Sequence, residues 1–119
     1  MKNKDEKIAY FKSIIPQRIC VRLTRSEEEK SLCVQILDLP HCYTQVENTN
    51  ELPSMITDLV LTHFEVPIDL RDELGSYIPL SDKHLRIEEA FRRLIEIEAK
   101  TCAGEEIRET FQRAEATAV

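Results

Sequence analysis

Residues 18–46 read RICVRLTRSEEEKSLCVQILDLPHCYTQV, and the fold turns on how that run divides. Ile19, Val21 and Leu23 alternate with Arg18, Cys20, Arg22 and Thr24, the two-residue period of a strand with one face buried, so a strand is expected over Arg18–Arg25. SEEEKS (26–31) is too polar to bury, and its three glutamates read as a solvated loop tip. Leu32, Val34 and Ile36 then alternate with Cys33, Gln35 and Leu37, which predicts a second strand and a hairpin closed over the loop. Pro40 has no N–H for a ladder and forces Leu39 into an extended conformation, so a bend is expected at Asp38–Cys42. Tyr43–Val46 has room for a short third strand.

Downstream, Leu52, Met55, Ile56, Leu59, Val60 and His63 recur at i, i+3, i+4, i+7, i+8 and i+11, one stripe of a helix facing a sheet. Pro53 is acceptable only in its first turn, which makes Asn50 or Thr49 the expected N-cap, and Pro67 ends it near Glu65. Upstream, Ile8, Phe11, Ile14 and Ile15 predict a short helix stopped by Pro16, a flap on the core. Tyr77–Leu80 can add an edge strand. Ser81 or Asp82 can cap a further helix with Ile87, Ala90, Phe91, Leu94 and Ile95 on its apolar face. Ile107, Phe111 and Ala114 fall on the opposite side of that wheel. The chain therefore either breaks at Gly104 into a helical hairpin or continues as one helix with two buried faces, and both readings of residues 82–116 stay open. The organisation expected is α+β: residues 1–80 as a domain with a helical flap, a three- to four-stranded sheet and one packed helix, and residues 81–119 as a C-terminal helical extension.

The formal charge is −6, with eight basic and ten acidic residues before position 67 and eight basic and twelve acidic after it, so neither half is a basic arm. Such a field repels phosphate backbones unless a local patch opposes it, and suits a basic protein partner. The first 17 residues lack the apolar stretch of a signal peptide, and no run of about 18 apolar residues could span a bilayer, so a cytoplasmic protein with no membrane partner is expected. Cys20, Cys33, Cys42 and Cys102 form no CxxC pair, and thiols are expected in a reducing compartment.

The run Val34 to Gln45, followed by Glu47 and a helix, resembles the HicB antitoxin family, whose members show a strand, an Asp-Leu-Pro-Gly-Cys turn, a short strand with a threonine, an acidic residue and a helix. The resemblance covers roughly residues 18–66 and rests on Asp38, Leu39, Pro40, Cys42 and Thr44 as turn and scaffold positions. His41 stands where the family has glycine, and Val46 stands at a second glycine. Glycine at such turns supplies a positive φ, which a β-branched valine adopts only with strain. The resemblance implies a partial RNase H-like fold without nuclease chemistry. It also implies a function as a protein-binding module that neutralises a small basic ribonuclease toxin of the HicA type. A homo-oligomer without a toxin, or a DNA-binding autorepressor, is the alternative. No helix-turn-helix is recognisable in the tail, so a nucleic-acid partner is left open.

No catalytic, cofactor or metal site is expected. Metal-assisted hydrolysis needs several converging carboxylates, and only Asp38 sits at a strand end, where bonding to N–H groups of its own turn is the simpler role. His41 and Cys42 are adjacent on an extended chain and point apart, so Cys42 reads as a small buried hydrophobe and His41 as an exposed turn residue. His63 reads as a half-buried residue at a helix end. Arg18 and Arg22 share a strand face that Arg25 does not, and no aromatic interleaves the three, which suits a solubilising surface. Glu89 to Arg93 and Glu96 to Lys100 have the spacing of a solvated helix face. The reversal of the apolar stripe makes Phe91, Leu94, Ile107 and Phe111 the expected oligomer or partner interface.

Overall fold

The structure, a computed structural model, describes residues 3–28, 30–79 and 87–114. Helix α1 (Lys4–Ile14) is capped by Asn3, whose side chain accepts the Glu6 N–H at 2.8 Å. It lies outside the core, as a flap would, and sends only Ile8, Phe11 and the following Ile15 inward. Strands β1 (Arg18–Arg25), β2 (Leu32–Ile36) and β3 (Tyr43–Val46) follow the expected bounds to within a residue. A 3-10 turn, Thr49–Glu51, leads into α2 (Leu52–His63). A second 3-10 segment (Ile68–Leu74) leads to β4 (Ser76–Pro79), and α3 (Ile87–Cys102) precedes β5 (Ile107–Ala114).

All four strand pairs are antiparallel, in the order β3-β2-β1-β5-β4. The sheet curls so that its edge strands β3 and β4 both pack on α2. The Thr57 hydroxyl of α2 accepts the Tyr77 N–H at 2.9 Å, closing part of the β4 edge. Both helices lie on the face that carries Ile19, Val21 and Leu23 of β1 and Leu32, Val34 and Ile36 of β2, all 1% exposed or less. Ile56 and Val60 of α2 and Ile97 of α3 complete this core. A large apolar side chain buried so fully contributes about 1.5–3 kcal/mol, so the inward rows of β1 and β2 alone define the layer.

The C-terminal region differs most from expectation. Residues 107–114, expected to be helical, form β5 and lie between β1 and β4 inside the same sheet. The inward positions of β5 are Ile107, Glu109, Phe111 and Arg113. Two of the four are charged, so the apolar residues left over recur at a helix-like spacing and the two-residue period is hidden. A five-stranded sheet thus replaces the three or four strands expected. Gly104 does end α3, at φ +90°, with the Glu105 N–H bonded to the Lys100 carbonyl and the Gly104 N–H to that of Thr101. The chain leaves that turn as a strand.

Two helix details also depart from expectation. The start of α2 has no side-chain cap. The 3-10 turn provides the entry, with the Leu52 N–H on the Thr49 carbonyl, and Thr49 is buried beneath Arg25. On α3 the buried stripe is Ala90, Leu94, Ile97 and Thr101, while Phe91 and Ile95 face outward. The expected caps Ser81 and Asp82, together with Leu80, lie outside the described residues.

Candidate functional site

The Asp38–Cys42 turn is held from both sides. The Asp38 carboxylate accepts the N–H of Cys20 on β1 at 2.6 Å, and the Leu37 N–H reaches the Cys20 carbonyl at 2.9 Å. Asp38 therefore ties the turn to the neighbouring strand and does not bond its own turn as expected. That carboxylate is exposed and already engaged. The Ile36 N–H bonds the Cys42 carbonyl at 2.9 Å and closes the bend. His41 sits at φ +59°, the left-handed conformation that favours glycine, and its side chain is exposed. Val46 is an ordinary strand residue buried opposite Leu32, so only one of the two altered glycine positions carries backbone strain. Leu39 packs partly on the core, Pro40 is exposed, and Thr44 is half-buried opposite Val34.

Cys42 is buried, as expected, and its Sγ lies 3.3 Å from His63 Nδ1. His63 is exposed and stacks edge-on against Phe64, with ring centroids 5.1 Å apart, where a half-buried residue was expected. Burial pushes the Cys42 thiol above its ordinary range, the reverse of the shift that generates a reactive thiolate. The pair therefore reads as a thiol–imidazole hydrogen bond that joins the turn to the end of α2. All four cysteines are free thiols. Among the described residues no group of three or more His, Cys, Asp or Glu side chains is arranged to hold a metal ion, and no helix is long and apolar enough to cross a membrane.

The four residues expected to form an interface separate. Leu94, Ile107 and Phe111 are inside the chain's own core and have no surface to offer, whereas Phe91 is 56% exposed. Ile95, one helical turn on, is 67% exposed, so α3 presents a two-residue apolar stripe to solvent. Arg92 and Glu98 are exposed beside it. Arg93 is not a simple member of a solvated face. It donates to Glu96 at 2.6 Å and to the buried carboxylate of Glu109 on β5. The hydrogen bond to Glu109 is the main reason its guanidinium holds its proton even more firmly than an ordinary arginine.

Among the described residues no helix covers the other face of the sheet. Its rows are set by register: Tyr43, Gln35, Arg22 and Arg108 lie side by side on β3, β2, β1 and β5. On β1 alone no aromatic interleaves the arginines, but pairing brings Tyr43 into the row of Arg22 from two strands away. Arg25 points to the helical side and donates to Lys30 O and to the hydroxyls of Thr49 and Thr101. The sequence holds these residues but not their register, so this row could not be read from it.

Scans against protein-family models and searches of curated proteins and of solved structures match nothing to this chain.

Proposed function

We propose that the chain is a non-enzymatic protein-binding module of HicB type whose partner is a small basic protein, a HicA-type toxin in the fullest form of the reading. The single observation that supports it best is the Asp38–Cys42 turn. It lies between two paired strands, leads into a helix that packs on the sheet, and places His41 in a left-handed conformation at the position where the resembling family has glycine. The net charge of −6 favours a basic partner. The outward stripe of α3 supplies an apolar docking surface, with an aromatic and an aliphatic anchor, Phe91 and Ile95.

Co-expression with the product of the adjacent gene tests this. A small basic protein should co-purify with the wild-type chain and be lost on Phe91→Asp or Ile95→Asp, with the thermal unfolding midpoint unchanged. If the neighbour is not basic and nothing co-purifies, the toxin-binding reading fails. A dimer lost on the same two substitutions would instead make a second copy the occupant of the stripe.

A further inference from the structure

We infer that the open face of the sheet is a binding surface for single-stranded nucleic acid, separate from the protein-docking stripe on α3. The outward strand positions carry three arginines, Arg18, Arg22 and Arg108, and not one carboxylate, in a chain whose formal charge is −6. Among the described residues no helix covers this face, and its strand positions carry charge opposite in sign to that of the whole chain. An antiparallel sheet needs only one covered face to be stable, so folding leaves this layer free for other use.

The side chains on it are of the types that hold a polynucleotide strand. Tyr43 is 71% exposed and has no ring partner among the described residues, so its face is free to stack on a base. Gln35 stands between it and Arg22 in the same row, and Gln45 beside it on β3 also points outward. Around Tyr43, Gln35, Gln45, Arg22 and Thr24 the face dips into a shallow depression of about 380 Å³. With strands about 4.8 Å apart, Tyr43 is about 10 Å from Arg22 and about 14 Å from Arg108 along the row. Sheet-type nucleic-acid modules likewise stack bases on aromatic side chains of an open sheet face. Base stacking on one aromatic with phosphates on the arginines is recognition without sequence preference, and it applies to RNA and single-stranded DNA alike.

Arg22 is restrained at present by Glu106, at 2.5 Å, which lies just before β5, and Arg18 donates to Gln112 at 3.2 Å. Arg108 has neither ion pair nor hydrogen bond from its side chain to the described residues. Glu106 is therefore a competitor for the phosphate that Arg22 would bind. Removing its charge should strengthen binding, an outcome that a merely solubilising role for Arg22 does not produce.

Fluorescence anisotropy of labelled twelve-nucleotide oligo(U) and oligo(dT) on the full chain at 25 mM salt tests the proposal. Saturable binding is expected. With three phosphate contacts it should weaken about tenfold between 50 and 150 mM salt. Tyr43→Ala should weaken it about tenfold. Arg108→Glu should weaken it and flatten the salt dependence. Glu106→Gln should tighten it about threefold. Lys100→Glu on α3 should leave it unchanged, and far-ultraviolet circular dichroism should be native for every variant. Tighter binding of one oligonucleotide identifies RNA or DNA as the source. The inference is overturned by no anisotropy change at 25 mM salt, by a Tyr43→Ala variant that binds as wild type, or by a duplex or an oligo-glutamate peptide of the same length binding equally well.

Discussion

Strands β1 and β5 lie side by side, yet the layers they present to the helices are chemically unlike. The inward positions of β1 that face β5 are Ile19, Val21 and Leu23, and nothing but apolar contact holds them. Across the ladder stand Phe111, Glu109 and Ile107, with Arg113 one step beyond. Buried charge is costly unless it is paired and hydrogen-bonded; Glu109 meets a guanidinium, and the terminal nitrogens of Arg113 meet neutral oxygens while its buried Nε finds no acceptor among the described residues. Glu109 receives Arg93 from α3. Arg113 donates to the Leu74 carbonyl at 3.3 Å and to Gln17 Oε1 at 3.1 Å, and its own backbone exchanges bonds with Gln17. Over this shared register the β1 half of the layer is defined by shape and hydrophobicity, with polar ties only from Arg25 at its end, while the β5 half is fixed by specific polar ties to α3, to the segment before β1 and to the segment before β4. Polar ties of this kind add little net stability, because desolvation offsets most of the attraction.

The largest way to break that comparison is to hollow out the one fully buried large apolar residue on β5. Phe111→Ala should lower the unfolding free energy by about 3–5 kcal/mol, read from the urea midpoint at unchanged slope. A smaller loss would mean that the polar ties carry more of β5 than its packing does.

Next in size is the buried pair. Glu109→Ala should cost about 2 kcal/mol, less than a fully buried broken pair, because Arg93 is 30% exposed and keeps Glu96. The double variant Arg93→Met with Glu109→Leu should recover most of that loss, within about 1 kcal/mol of wild type, since two apolar groups replace a desolvated pair. Urea unfolding of the two variants checks both values. A double variant no more stable than Glu109→Ala would show that the pair contributes net stability.

The polar half should also respond to alkali. Tyr77 is fully buried on the inward side of β4 and donates its hydroxyl to the Pro16 carbonyl. Burial pushes its phenol up to about 12, with the Arg113 charge opposing the shift. The folded chain therefore holds this proton more tightly than the unfolded chain, whose tyrosines titrate near pH 10. The contribution is complete below about pH 10 and is lost as pH rises toward 12, up to about 2–3 kcal/mol. Unfolding curves between pH 9 and 12 should show this fall, and Tyr77→Phe should remove it. A fall of equal size in Tyr77→Phe would assign it to other groups.

The smallest effect concerns the apolar half, where strain is confined to turns. His41 at φ +59° and Glu65 at φ +56° both occupy the left-handed region. Glu65 does so in the turn that ends α2, where the Val66 N–H bonds the Leu61 carbonyl and the Glu65 N–H bonds that of Thr62. His41→Gly and Glu65→Gly should each raise stability by about 0.5 kcal/mol, the relief of left-handed strain less the added freedom of an unfolded glycine. A loss at His41→Gly, seen as a lower unfolding midpoint, would mean that the imidazole makes contacts outweighing the strain.

Taken alone, the sequence determined α1, the β1–β2 hairpin, β3 and α2. In those segments burial is decided by apolar residues at a period of two or near 3.6, and the period survives in the written order. It offered Gly104 as a helix end but left one continuous helix equally open, and the left-handed turn there decides it. It determined neither β5 nor the inward side of α3. The strand's alternation is carried by Ile107, Glu109, Phe111 and Arg113, and a charged residue reads as buried only when its partner is known. Arg93 and Gln17, 16 and 96 residues away, are such partners, and only tertiary structure brings them in. The row of Tyr43, Gln35, Arg22 and Arg108 has the same origin, because register between strands is fixed by the packing of their other face.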